Sequence, residues 1–286
     1  MLAYGPDFTI NVQGDAVPAV DYLLEGGRLS GWRFSPGDKL DNGRVGLRAI
    51  LEPGSSTGQG HSDQWLAVLA QCNLSLDQSL QANETEYKLA DYLAQVQQDV
   101  PQNAEEEWSW TLIALIQFLP TSAEWQANDG EKWSIEKIVG AEVRQALSTS
   151  ACGGTHRLIG LSMALNQRRL ENAKMSSTWR ETQELIRDSI RQAQHFQNSD
   201  GSFSTNYFQR SGVSVDNAQV LATTGHTLEF LALSLSPDEL REPWVLRAVE
   251  RLCVVLEDTK TLPLECGALY HAVHGLVIYR QKALIP

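Results

Sequence analysis

Nowhere in this 286-residue chain does an apolar run approach the roughly 18–20 residues that span a bilayer. The best stretch, residues 110–119, is about half that length and reads as a core helix. Basic residues are also scarce: 23 Lys and Arg against 35 Asp and Glu leave a net charge of −12. That balance argues against a nucleic-acid backbone or an anionic membrane as partner. No Cys-x-x-Cys pair occurs among Cys72, Cys152, Cys253 and Cys266, so reduced thiols are expected rather than a disulfide framework. Met1-Leu2-Ala3-Tyr4 lacks the basic start and apolar middle of a signal peptide. The expectation is a soluble protein, cytoplasmic or, had a signal segment been removed, exported. Hydrophobic content of 42% and charged content of 20% are ordinary for a globular chain, long enough here to bury a sizeable core.

Residues 1–57 differ from the rest. DFTINVQGD alternates well enough for a short strand, AVDYLLEGGRL holds two helical turns before Gly26-Gly27, and SPGDKLDNGRVG and EPGSSTGQG have loop chemistry. This segment is expected to be an irregular cap on one domain whose body is residues 58–286. In that body, segments apolar nearly all round alternate with amphipathic ones. Residues 61–73, 105–119, 155–166, 225–235 and 268–280 are the apolar helices; 85–98, 134–147, 178–196 and 243–256 are the amphipathic ones.

The apolar helices open on related positions. His61, Trp108, His156, His226 and His271 follow one another at intervals of 47, 48, 70 and 45 residues, the long gap holding the loop around Asp200-Gly201. A period of that size with paired helices signals a repeat architecture. Inner helices packed on both sides should be apolar all round, and outer ones amphipathic. The fold class expected is therefore all-α, an (α/α) toroid of about five to six hairpins. A straight solenoid of helix pairs is the rival arrangement.

With these residues in view, the chain resembles the α/α toroid superfamily of terpenoid cyclases and protein prenyltransferases. Gln197-Asn198-Ser199-Asp200-Gly201-Ser202-Phe203 is similar to the Gln-x-x-x-Gly-x-Phe/Trp repeat of those enzymes. GGTHRLIGLSMAL and ALYHAVHGLVIY are similar to their inner-helix openings. The resemblance covers roughly residues 60–280 and implies fold more than activity. The Asp-x-Asp-Asp motif of squalene-type cyclases is absent. So is the Asp-x-Cys pair that, with a His, holds zinc in prenyltransferases; only a counterpart of that His remains, at His271. The Cys-His-Gly sequence of lanthionine cyclases is missing its Cys before His274-Gly275. Gly225-His226-x-x-Glu229 is similar to the Gly-His-x-x-Glu helix of sugar 2-epimerases.

In a toroid these helix starts would converge on one mouth. The stretch 221–236, LATTGHTLEFLALSLS, is read as delivering His226 to the first turn of a helix, with Glu229 one turn on. His226 and Glu229, with His156, His61 and Glu107, are the candidates for acid–base work, because imidazole titrates near neutrality and a carboxylate fixes its tautomer. Asp63, Gln64, Trp65, Trp108, Trp110, Cys152, Tyr270 and His274 would line the pocket. A metal reading stays open beside it. Three of His61, His156, His226, His271 and Cys152 or Cys266 would suit zinc, with His271 and Cys266 singled out by the resemblance. A structural reading, in which these residues cap helices, also stays open. Function is thus expected to be an enzyme acting on an isoprenoid-like molecule or a carbohydrate, or else a non-catalytic toroid that binds a glycan, peptide or protein.

Overall fold

A computed structural model describes residues 1–5, 7–52, 61–103 and 108–284. The chain divides into two compact units, Met1–Ile138 and Val139–Pro286. Residues 1–57 belong to the first of these together with helices that the sequence assigns to the toroid body.

The first unit mixes helices with strands. Among its described residues, eight short strands pair as four two-stranded antiparallel sheets: β1 (Thr9–Val12) with β2 (Asp15–Pro18), β3 (Trp32–Lys39) with β4 (Val45–Leu51), β5 (Ser79–Ala82) with β6 (Thr85–Lys88), and β7 (Glu124–Gln126) with β8 (Lys132–Ser134). An all-α description therefore fails for this half; the protein is mostly helical with added hairpins. Three hairpins run straight into a helix: α1 (Ala19–Leu24), α3 (Leu89–Asp99) and α5 (Ile135–Arg144), whose residues from Val139 onward belong to the second unit. The expected helices at 85–98 and 134–147 begin with the last strand of these hairpins. In β5–β6 the two-residue turn Asn83-Glu84 has φ of 50° and 63°, the both-positive geometry that matches strand twist. Two further helices, α2 (Gln64–Ala70) and α4 (Ser109–Phe118), pack on each other, and α3 packs on β4. Leu66, Leu80, Leu89, Leu112 and Leu115 form the centre.

The second unit is helical among its described residues: α6 (Thr155–Leu170), α7 (Ser177–His195), α8 (Asn217–Ser234), α9 (Pro237–Leu240), α10 (Pro243–Thr259) and α11 (Cys266–Tyr279). Helix α8 is its axis and packs against α6, α7, α10 and α11. From Val220 to Ala232 most of its residues are buried, apolar or small ones with His226 and Glu229 among them, as suits a helix surrounded by others. On α7, Trp179, Thr182, Ile186 and Ala193 face inward and the arginines outward. Helices α8 and α11 run in the same direction, Gly225 lying on Ala272 and Gly275 on Glu229. Helix α6 is parallel to α8 too. His156 neighbours His226, and further along Ser162 meets Ser234 at 2.7 Å. The loop before α8 is held by its own polar groups. Asp200 accepts from Ser202 N at 3.0 Å and pairs with Arg251 of α10, while Gly201, at φ +90°, comes so close to the Arg247 carbonyl that no Cβ would fit. No helix among the described residues is long and apolar enough to cross a membrane.

Candidate functional site

The second unit brings Cys152, His156, His226, Glu229, His271 and His274 together. Each arrives by a distinct local device. Cys152 sits in a tight turn at φ 49°, where side chains rarely settle, followed by Gly153 and Gly154 at positive φ. A Cβ on Gly153 would strike the Tyr207 ring, so only glycine lets the turn close. His156 is then the second residue of α6. Arg157, buried beside it, holds this turn in place. Its guanidinium pairs with the buried Glu142 carboxylate at 3.3 Å and donates to Ala146 O, Ser150 Oγ and Gln145 Oε1.

His226 does not open its helix. Helix α8 begins at Asn217, capped by Asp216, whose side chain accepts from Ala218 N at 2.9 Å; His226 therefore lies mid-helix. The Thr-Thr-Gly lead-in is helical because Thr223 bonds back to Gln219 O and Gly225 packs flat on α11. Glu265 caps α11 by accepting from Gly267 N and Ala268 N, and His271 and His274 follow on one face.

Glu229 is the hub. One of its oxygens accepts from His271 Nδ1 and the other from His274 Nδ1, the latter at 2.7 Å. A carboxylate only accepts, so both imidazoles carry their proton on Nδ1. Burial alone would raise the Glu229 carboxyl, but the charge and hydrogen bonds of His271 and His274 hold it far below the usual carboxylate range. His226 is fixed differently: its Nδ1 donates to Ala222 O at 2.7 Å, while its Nε2 is buried with no hydrogen-bond partner among the described residues. Burial, then the repulsion a proton on it would meet from the His271 and His156 imidazoles, push its pKa well below the ordinary value, so it is a neutral imidazole. The three rings lie close together, with centroids 3.8 Å apart for His226 and His271, 5.1 Å for His156 and His271, and 5.3 Å for His156 and His226. Ligand atoms of Cys152, His156 and His226 all fall within 4.8 Å of one another. Tyr270 stacks on His274, with its hydroxyl 3.4 Å from Nδ1. His156, His226 and His271 are each about 1% exposed, and Cys152 is half-buried.

The remaining sequence candidates have other surroundings. His61, Asp63, Gln64, Trp65, Trp108 and Trp110 belong to the first unit. There the His61 ring lies near Trp110, Asp63 accepts from Thr111 Oγ1 and Asn103 Nδ2, and Trp65 meets Phe34 edge-on. Trp108 donates its indole N–H to Val100 O at 2.9 Å. Glu107 lies outside the described residues. Cys266 is the exposed first residue of α11 and is not in the group around His226. The expected His226–Glu229 pair gives way to Glu229 with His271 and His274. Sequence spacing alone gives no register between α8 and α11; the glycines Gly225 and Gly275 were the usable sign of their close approach. A cleft of about 200 Å³ lined by Ser162, Asn166, Arg169, Gln183 and Ser234 opens toward the other end of α6 and α8, away from the cluster.

No family model matches the sequence, and no curated protein or solved structure resembles it closely enough to show kinship.

Proposed function

We propose that the second unit is an enzyme that moves a proton on a small carbonyl-bearing or hydroxylated molecule, of which a reducing sugar is the model. The observation that carries this reading is one buried carboxylate, Glu229, fixing His271 in the tautomer that leaves Nε2 as its basic nitrogen. In that scheme His271 is the general base, Glu229 positions it and stabilises the imidazolium formed on proton transfer, and His274 completes the carboxylate's bonding. Cys152, the half-buried member, marks the side on which a substrate reaches the cluster.

A carbohydrate-like substrate is favoured over an isoprenoid. Leu158, Leu161, Leu228, Phe230 and Leu231, the apolar residues of α6 and α8, are packed against neighbours and line no open wall. The parallel run of α6, α8 and α11, with their histidines gathered together, supports an α/α toroid as the arrangement and with it the likeness to terpenoid cyclases and prenyltransferases. The near-complete burial of the imidazoles favours a second reading, a non-catalytic binding scaffold.

Solvent deuterium incorporation into a panel of aldoses, ketoses and N-acyl sugars separates the two. Incorporation by the wild type is expected to fall about 100- to 10,000-fold in His271→Gln and Glu229→Gln, the usual scale of general-base catalysis. No incorporation with any sugar, or rates in both variants undiminished from the wild type, would hand the site to the scaffold reading.

A further inference from the structure

We infer that Cys152, His156 and His226 bind a divalent metal ion of the zinc class, beside the Glu229-oriented His271. This deepens the functional reading above by naming a cofactor for the same site, and it rests on separate geometry. The three ligand atoms lie within 4.8 Å of one another. In a tetrahedral zinc site, with Zn–S near 2.3 Å and Zn–N near 2.0–2.1 Å, ligand atoms stand about 3.3–3.6 Å apart. Closing that difference brings the ligand atoms together by at most about 1.5 Å.

His226 supplies the independent sign. Its Nδ1–H is committed to the Ala222 carbonyl, and its Nε2 lone pair is buried with no hydrogen-bond partner among the described residues. A buried polar atom without a partner has lost its hydration with nothing in exchange. A metal ion satisfies it, and the carbonyl behind the ring is the kind of outer contact that orients ligating imidazoles. Cys152 comes from the tight turn that leads into α6, His156 from the first turn of α6, and His226 from the parallel helix beside them. One thiolate with two imidazoles suits zinc and disfavours magnesium and calcium, which take oxygen donors. Three protein ligands leave a fourth position, as catalytic zinc sites do. The His271 ring, 3.8 Å from that of His226 by centroid, stands where it can reach a water or substrate oxygen there. With a substrate carbonyl oxygen at that position, the ion would polarise the carbonyl while the imidazole takes the proton.

The test uses the intact chain. Elemental analysis after purification is expected to give about one zinc per chain. Cobalt added to chelator-stripped protein is expected to produce a sulfur-to-cobalt charge-transfer absorption. Loss of an orienting partner alone weakens such sites about 10- to 100-fold, so Cys152→Ser and His226→Ala are each expected to weaken zinc binding by more than about 100-fold. Cys266→Ser and His195→Ala should bind as the wild type. His226 is buried and its alanine variant is open to folding defects; Cys152→Ser, at a half-buried turn and checked by circular dichroism, keeps the test decisive. Absence of both zinc and the cobalt–thiolate band in the wild type overturns the inference, as does undiminished binding in a folded Cys152→Ser. Sugar exchange that survives in stripped protein without a cobalt band sinks the metal and leaves the acid–base reading standing. A bound metal with no exchange does the reverse.

Discussion

Arg157 shows how one residue sets the position of a site it does not touch chemically. It is 1% exposed and the Glu142 side chain facing it is 0% exposed, so two charges are buried together on the condition that their hydrogen bonds are complete. The same guanidinium reaches the carbonyl and hydroxyl of the 146–150 turn, which leads directly into Cys152. Removing one partner of such a pair leaves the other's buried charge without its counter-ion and typically costs about 3–5 kcal/mol. Arg157→Ala is therefore expected to lower unfolding stability by about that much in denaturant titration. Arg157→Met combined with Glu142→Leu should recover most of it, since apolar side chains of similar volume do well where ion pairs are dry. A single-variant loss below about 1 kcal/mol, the scale of an exposed pair, would show that the pair contributes little and that the turn is held by other contacts.

Among the helices, the close parallel approach of α8 and α11 is what makes Glu229 available to two histidines of another element. A Cβ built on Gly275 would lie 2.9 Å from Glu229 N, and one on Gly225 would lie 2.8 Å from the Ala272 backbone. Backbone cannot yield as a flexible side chain can, so Gly275→Ala is expected to destabilise by about 1–3 kcal/mol and to lengthen the Glu229–His271 contact. Gly140→Ala is the control. Its nearest neighbour is the Arg144 guanidinium at 3.1 Å, free to move, and alanine in a helix interior gains up to about 1 kcal/mol over glycine. Equal thermal shifts for the two variants would contradict the packing account. This level of structure was partly legible in the sequence. Long amphipathic helices such as α7 and α10 announce themselves by period, and residues 178–196 and 243–256 were read within a few positions of the observed Ser177–His195 and Pro243–Thr259. Short strands such as β6 carry too few residues for alternation to outweigh a neighbouring helical pattern. The start of α8 was misplaced because Thr223, Thr224 and Gly225 look like loop residues until α11 is there to pack on them. The site residues His156, His226, Glu229 and His271 were recognisable by type. Their pairing was not, because it depends on the register between helices, and neither was the place of Cys152, which depends on a single turn at positive φ.

Across the whole molecule, acid response reflects how the charges of both units are held. The unfolded state takes up protons that these folded groups refuse, and stability then rises with pH over the window where the two states differ. His226 is held neutral by burial and by the repulsion a proton on it would meet from the His271 and His156 imidazoles. Its contribution is complete above the ordinary imidazole value of about 6.5 and is lost as pH falls below it. Carboxylates act lower down. Glu229 is held far down despite burial, by His271 and His274, and Asp38 of the first unit is lowered by Gln95 and Arg48. Their contributions are present above the ordinary carboxylate values of about 3.9–4.3 and fade as pH falls through the depressed ones. The chain also crosses its isoelectric point, about 4.9, between the two stages, so self-repulsion of positive charge adds to the second. A two-stage loss is expected: the denaturant midpoint of chelator-stripped protein should decline first between about pH 7 and 5, then more steeply below about pH 4.3. Stripping matters, because ligand protonation would otherwise release a metal over the same range. His226→Gln should flatten the first stage and keep the second, since glutamine carries no proton that folding must exclude. A wild-type midpoint that stays level from pH 7 to 5 would mean that His226 accepts a proton in the folded state, and that the packed imidazoles tolerate a charge the geometry says they exclude.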